Sequence, residues 1–282
     1  MPKSGYNQRR GHTRERAFWV GIARAFAGAV IFSLPMLMTM EMWYLGFYIS
    51  PLRLAVLTAI NALLLVGLAR YWGFKRSIGW FDTIIDAFVG YAIGFVAGAF
   101  FLPLFGVVEI GMSMDEIIGK ISLQAVPASI GALLARSQLG KGEVWEDNIP
   151  PTLHYLRELF IMLVGAIFLS FNLAPTEEIV LISYKITPPI ALLLVVVSII
   201  TMHAFVYGVG FRGQEEILEE AGFFRAFLYF SVAGYALVLL GSLYTLWTFG
   251  RLDGGSLYNM VLSMTVLGLP GAIGAAAARL IL

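Results

Sequence analysis

Eight stretches of mostly apolar residues run along the chain. A helix that crosses a bilayer needs roughly 20 such residues. The stretches lie at about residues 19–48, 52–71, 82–107, 117–137, 156–175, 188–210, 223–249 and 257–281. The fourth is the least regular, because Lys120 and Gln124 come early in it and Pro127 interrupts it. The pattern predicts an all-α membrane protein with eight transmembrane helices.

The composition indicates that lipid is the main partner of the chain, and it excludes several kinds of functional site. The chain is 59% hydrophobic and 13% charged, whereas a soluble domain carries about 25% charged residues. A net charge of +1 gives no argument for nucleic-acid binding. Without cysteine, disulfides, thiolate metal sites and cysteine nucleophiles are excluded. No hydrolase, phosphate-binding or dinucleotide-binding motif is present, so we predict neither an enzyme nor a cofactor.

The two halves of the sequence resemble each other. Residues 28–51 align without a gap with residues 165–188, residues 90–92 with 234–236, and residues 127–139 with 270–282. Each half then contributes four spans in the same order. Because four is even, both halves enter the membrane from the same side. We therefore predict two parallel four-helix repeats, with a basic tail at 1–18, repeats at 19–137 and 156–282, and a linker at 138–155.

Lysine and arginine predict the orientation. If the N-terminus is cytoplasmic, only four of the 19 lysines and arginines fall on the outer side, namely Arg53, Lys120, Lys185 and Arg251. Basic residues are enriched in cytoplasmic loops, so both termini are predicted to be cytoplasmic. Counted along one continuous helix at about 1.5 Å per residue, Glu41 would lie in the outer quarter of the bilayer.

A carboxylate recurs at the same place in both halves, in the first span of each. Carboxylates are costly inside a membrane and usually have a task there, and hard cations prefer oxygen ligands. The predicted ion-binding set joins the acids to nearby hydroxyl and amide groups: Glu41, Glu178, Thr39, Thr176, Glu177, Ser33, Ser170 and Asn172. Glu41 and Glu178 would hold the metal or proton. The alternative is that the Glu41 side chain extends to the membrane surface, while residues 175–178 begin a short outer helix whose dipole suits its acids.

Three further residues are candidates for a proton relay. Asp82 and Asp86 lie four apart, on one face of the third span, and could equally be solvated or paired with basic residues. His203 lies well inside the sixth span, where a hydrogen bond to another helix is the more ordinary role. Asn61 and Gln124 are polar residues within spans and are expected to hydrogen-bond across helices.

The run FSLPMLMTMEMW, residues 32–43, together with APTEEI, residues 174–179, resembles an uncharacterised family of bacterial multi-spanning integral membrane proteins. The resemblance covers both halves. It implies a multi-pass protein of the bacterial inner membrane and brings no activity, substrate or site residues with it.

The function predicted from the residues is a cation transporter or channel, or a proton-coupled transporter. The alternative is a membrane scaffold or sensor that transports nothing, in which the acids only hold helices together. The transported species and the oligomeric state are left open by the sequence.

Overall fold

The computed structural model describes residues 4–72, 79–139, 151–208 and 227–281, and these residues are almost entirely helical. The helices are α1 (Ser4–Leu37), α2 (Met40–Tyr48), α3 (Pro51–Trp72), α4 (Trp80–Leu104), α5 (Met114–Leu139), α6 (Pro151–Leu173), α7 (Glu177–Lys185), α8 (Pro188–Gly208), a π-helical turn (Phe227–Val232), α9 (Ala233–Thr248) and α10 (Leu257–Ile281). Most of the predicted linker, at 140–150, lies outside the described residues.

Among the described residues, eight helices are long and apolar enough to cross a membrane, as predicted. Their apolar segments are Phe18–Leu37, Pro51–Arg70, Trp80–Leu104, Met114–Ala135, Thr152–Leu173, Pro188–Phe205, Phe227–Thr248 and Leu257–Leu280. The fourth, which has the least regular sequence, is the one whose residues are most often buried inside the protein. Neighbouring parts of the protein therefore enclose its polar side chains Lys120, Ser122, Gln124 and Ser129.

The first and fifth spans end earlier than the sequence predicted. The first was expected to run to residue 48, but α1 ends at Leu37 and a separate short helix, α2, follows. The fifth was expected to reach residue 175, but α6 ends at Leu173 and is followed by α7. Hydropathy does not detect the first break because most residues on both sides of it are apolar, whereas Glu177 and Glu178 follow the second. Residues 19–48 therefore do not form one continuous helix, and the count along such a helix does not give the depth of Glu41.

The chain divides into two compact units. The first comprises Met1–Met38 and Ala55–Val144, and the second comprises Thr39–Leu54 and Trp145–Leu282. The second unit thus includes α2 and the first turn of α3. Arg53 ties that turn to its unit, because its guanidinium bonds Asp253 and lies over the Trp247 ring, 5.4 Å from the ring centroid.

In the first unit, α5 packs against both α1 and α4. Gly28 and Gly131 face each other where α1 meets α5, and a Cβ on either would clash with the other backbone. On α4, a Cβ at Gly94 would stand 2.7 Å from Ala125 O. Small residues thus let the backbones approach closely, as expected for helices in a membrane.

In the second unit, α10 is the central helix and packs against α6, α8 and α9. Gly165 and Gly274 face each other where α6 meets α10. Beside them lies a fully buried apolar cluster that includes Met162, Met202 and Val238. The buried side chains that line the closest crossings are therefore small, and larger ones fill the space between the other helices.

Candidate functional site

The break between α1 and α2 follows Pro35. Proline has no N–H and disrupts the hydrogen bonding of a helix interior, and α1 ends two residues later. Met38 N still donates to Leu34 O at 3.1 Å, but the backbone at Thr39 is extended, with φ −99° and ψ 111°. Helix α2 then starts at Met40, with Glu41 in its first turn and half-buried.

The break between α6 and α7 has a similar form. Ala174 N donates to Ser170 O at 2.7 Å, and the buried Pro175 follows within the break. Thr176 is extended, with φ −72° and ψ 150°, and its hydroxyl donates to Leu173 O at 2.9 Å. Helix α7 starts at Glu177, so the Thr176 hydroxyl bonds backward to α6 instead of capping the new helix.

The predicted acids all lie in the first turn of a short helix. Glu41 is in the first turn of α2, and Glu177 and Glu178 are in that of α7. Negative charge is favourable at a helix N-terminus, so each acid has an electrostatic reason for its position. Glu41 is half-buried, whereas Glu177 and Glu178 are exposed on the protein surface.

The structure describes no cluster of three or more histidine, aspartate or glutamate side chains that could hold a metal ion. The first break is followed by one acid, Glu41, and the second by two adjacent acids, Glu177 and Glu178. The hydroxyl and amide oxygens that precede the breaks are of the right chemical type for a hard cation.

Those neutral groups differ in whether they already form hydrogen bonds within the protein. The Ser33 hydroxyl donates to Val30 O at 3.3 Å within its own helix. The Asn172 amide donates to Phe168 O at 2.8 Å, but its buried Oδ1 has no hydrogen-bond partner among the described residues. The Ser170 hydroxyl is also buried without such a partner. Acceptor oxygens thus remain available on α6.

The candidate relay residues lie apart from the breaks along the chain. His203 Nδ1 lies 2.8 Å from the Ser231 hydroxyl of the π-helical turn. This is a hydrogen bond to another helix, the ordinary role expected for His203. Asp82 is exposed in the first turn of α4, and Asp86 is half-buried one turn on. Their relay role stays a prediction.

The two amides inside spans bond across helices as expected. Asn61 Nδ2 donates to the Ser129 hydroxyl at 3.0 Å, and Gln124 Nε2 donates to Ser33 O at 2.9 Å. Each bond joins α5 to another helix of the first unit. Both groups would otherwise be unsatisfied in an apolar interior, so these bonds specify how the helices pack.

Three charged contacts were not predicted from the sequence. Lys120 is only 7% exposed, and its ammonium bonds Glu116 at 2.7 Å and Val107 O at 2.9 Å. Arg279 forms an ion pair with Glu158. The Arg53–Asp253 pair, defined above, is the third. The four-residue spacing of Glu116 and Lys120 was a readable signal, whereas the other two pairs are distant in sequence.

The family comparison agrees with this architecture. A protein family described as "Putative integral membrane protein (DUF2391)" matches residues 21–282. The match covers the second compact unit, the first unit from residue 21 onward, and all of the candidate spans except residues 18–20 of the first. No curated protein and no solved structure matches the chain.

Proposed function

The chain belongs to the DUF2391 family of integral membrane proteins, and from this premise we propose that it moves a small cation or protons across the bacterial inner membrane. The observation that carries the proposal is the pair of helix breaks, each followed by a short helix with an acid in its first turn. Interrupted helices at corresponding places in two halves are typical of transporter binding sites.

The two halves are proposed to be parallel repeats with both termini in the cytoplasm. Three observations support the repeat. The short helices α2 and α7 are each nine residues long and follow aligned breaks. The crossing of α1 with α5 at Gly28 and Gly131 has the same glycine-to-glycine contact as the crossing of α6 with α10. Two residues separate each short helix from the next span, and that span begins at a proline, Pro51 in α3 and Pro188 in α8.

Each acid has a distinct role in this proposal. Glu41 and Glu178, which occupy the same position in the two short helices, attract and release the cation or proton. Thr39 and Thr176, directly before the helices, add hydroxyl oxygens, and Ser170 and Asn172 offer acceptors on α6. Glu177 aligns with Met40 in the first half, so its contribution is to the local negative charge rather than to a repeated ligand set.

Reconstituted liposomes test the proposal. We expect the wild-type protein to conduct or exchange sodium, potassium, calcium or protons, and Glu41→Gln with Glu178→Gln to lower that flux at least about tenfold, since each break then loses the carboxylate that recurs in both halves. Glu109→Gln is the matched control, because Glu109 is an exposed acid on the α4–α5 connection. Equal flux in the wild type and the double variant would refute a role for these acids.

A second candidate is a membrane scaffold or sensor that transports nothing. Two observations favour it: Glu177 and Glu178 are exposed, and all three acids lie in the first turn of a helix. The helix dipole alone then explains why acids occupy these positions. It predicts a lower melting temperature for Glu41→Gln with Glu178→Gln in detergent and no flux above that of empty liposomes. Flux and melting temperature measured on the same samples therefore separate the two functions.

A further inference from the structure

A shallow groove runs between α3 and α4 in the first unit. It holds about 160 Å³ of empty space, part of which is open to the surroundings. The residues that line it are Ala62, Leu65 and Val66 of α3 and Ala87, Phe88 and Tyr91 of α4. Apart from the Tyr91 hydroxyl, which donates to Thr58 O at 3.3 Å, these side chains are apolar. The groove therefore suits a hydrocarbon chain better than a polar ligand.

The corresponding place in the second half is bridged by a hydrogen bond. In the proposed alignment of the halves, Val66 corresponds to His203 and Ala87 to Ser231. His203 Nδ1 lies 2.8 Å from the Ser231 hydroxyl, so these two side chains meet between their helices. Val66 and Ala87 are smaller and carry no polar side-chain atom, and both line the groove. The first half therefore leaves open a place that the second half fills.

Arg70 and Trp80 mark the end of the groove at the membrane boundary. Arg70 is the last residue of one apolar segment, and Trp80 is the first residue of the next. The exposed Arg70 guanidinium lies over the Trp80 ring, 5.3 Å from its centroid, and both residue types are typical of headgroup depth. At about 1.5 Å per residue, Val66 and Ala62 lie about 6 and 12 Å along α3 from Arg70. The groove is thus on the hydrocarbon side of a basic residue.

The two acids near the start of α4 lie on another side of that helix. At 3.6 residues per turn, Asp82 and Asp86 are about 140° and 100° around the helix axis from Ala87, which lines the groove. Among the described residues, the charge beside this end of the groove is therefore that of Arg70.

We propose that this groove binds one acyl chain of an anionic phospholipid, with the phosphate held by Arg70 beside Trp80. A guanidinium offers several N–H donors in a geometry that matches phosphate oxygens. A basic residue at the membrane surface attracts an anionic headgroup more strongly than one without net charge. With the predicted orientation, the lipid belongs to the cytoplasmic leaflet. Glu41 and Glu178 take no part, so the site is independent of the proposed transport.

Native mass spectrometry of the full chain in dodecyl maltoside tests the headgroup contact. The probes are phosphatidylglycerol and phosphatidylcholine with identical acyl chains, and we expect the wild type to bind phosphatidylglycerol more tightly. Arg70→Gln should weaken phosphatidylglycerol binding about fivefold, the effect of one basic residue on an anionic headgroup, whereas Arg70→Lys should keep most of it. Arg16→Gln, at another exposed arginine on the predicted inner side, is the matched control and should bind like the wild type.

Filling the groove tests the chain contact. Ala62→Leu adds a larger side chain among the lining residues, and Val66→Phe does so one turn nearer to Arg70. Either variant should weaken the binding of both lipids, because the acyl chain then loses its place. Ala92→Leu is the control, since Ala92 is exposed and lies about 140° around α4 from Ala87. Equal melting temperatures of the lipid-free variants and the wild type would show that lost binding is not lost folding.

Three results would overturn the proposal. The first is equal phosphatidylglycerol binding in the wild type, Arg70→Gln and Ala62→Leu. The second is an equal loss in Arg16→Gln, which would mean that the basic surface as a whole attracts anionic lipid. The third is displacement of the lipid by glycerol 3-phosphate at equal concentration, which would mean that the headgroup alone is recognised.

Discussion

Arg53 and Asp253 form an ion pair that should respond to pH. Their oxygen–nitrogen distances are 2.7 and 2.6 Å, and Asp253 lies in the connection between α9 and α10. The hydrogen bond from Arg53 holds the pKa of Asp253 below its ordinary value. A carboxyl with a lowered folded-state pKa stabilises the fold above its unfolded pKa, about 3.9, and loses that contribution as the pH falls through the folded value.

We therefore expect the wild type to lose stability below about pH 4 more steeply than Asp253→Asn, which has no carboxyl to protonate there. The difference at pH 7 should be under about 1 kcal/mol, because the Asp253 side chain is 58% exposed and solvent screens the pair. Melting temperatures in detergent from pH 7 to pH 3 measure it. Asp115→Asn, at another exposed acid, should follow the wild-type curve, and parallel curves for Asp253→Asn and the wild type would contradict the prediction.

The hydroxyl and amide side chains of the spans show how far hydrogen bonding of single residues can be predicted from the sequence. Asn61 and Gln124 were predicted to bond across helices because a lone amide in an apolar run needs a partner, and each found one on a neighbouring helix. Ser170 and Ser33 occupy equivalent positions in sequence, yet only the Ser33 hydroxyl forms a hydrogen bond. Its partner is Val30 O, one turn earlier in the same helix, so the difference lies in how each hydroxyl is oriented and not in the residue type.

At the scale of the helices, the close crossing of α6 and α10 depends on two glycines. A Cβ at residue 274 would meet Gly165 O and would stand 2.7 Å from Leu169 Cβ. We expect Gly274→Ala to force the helices apart and to destabilise the protein by about 1–3 kcal/mol, as overpacking does. The melting temperature in detergent is the measurement.

Gly79→Ala is the control for this crossing. The nearest atom to a Cβ at Gly79 is 4.0 Å away, and the residue precedes α4 with φ −137°, which alanine also adopts. It should therefore be nearly neutral. A Gly274→Ala variant as stable as Gly79→Ala would mean that the crossing can relax without cost.

The breaks after α1 and α6 are features that the sequence predicts only in part. A proline precedes or lies within each break, Pro35 in the first half and Pro175 in the second, and a proline disrupts helix hydrogen bonding. A short helix beginning at residues 175–178 was weighed as the alternative for the acids of the second half, whereas α2 was not predicted as a separate helix. The residues of α2 are apolar enough to continue a span, and hydropathy carries no information on where backbone hydrogen bonding stops.

For the whole molecule, parallel repeats make a definite prediction about sidedness. Ser113 and Ser256 lie directly before α5 and α10, are exposed, and each accepts a hydrogen bond from the backbone N–H three residues later, at 3.3 Å. Because the chain has no cysteine, single cysteines can report accessibility. Ser113→Cys and Ser256→Cys should both react with an impermeant maleimide on intact cells, since both connections are predicted to be outside.

Gly79→Cys, in the predicted inner connection before α4, should react only after the membrane is opened. Labelling of Ser113→Cys and Ser256→Cys from opposite sides would show inverted halves and refute parallel repeats. Labelling of Gly79→Cys on intact cells together with protection of the two serine positions would reverse the orientation but keep the repeat.

The sequence by itself determined the class of protein, the eight spans and the need to pair the polar groups within them, because the length of an apolar run and the cost of burying polar atoms depend on local composition. Tertiary structure alone decided which groups pair, such as Arg53 with Asp253 and Arg279 with Glu158, and that residues 39–54 belong to the second unit. Those outcomes depend on distances between helices far apart in the chain, and no periodicity within one segment records such distances.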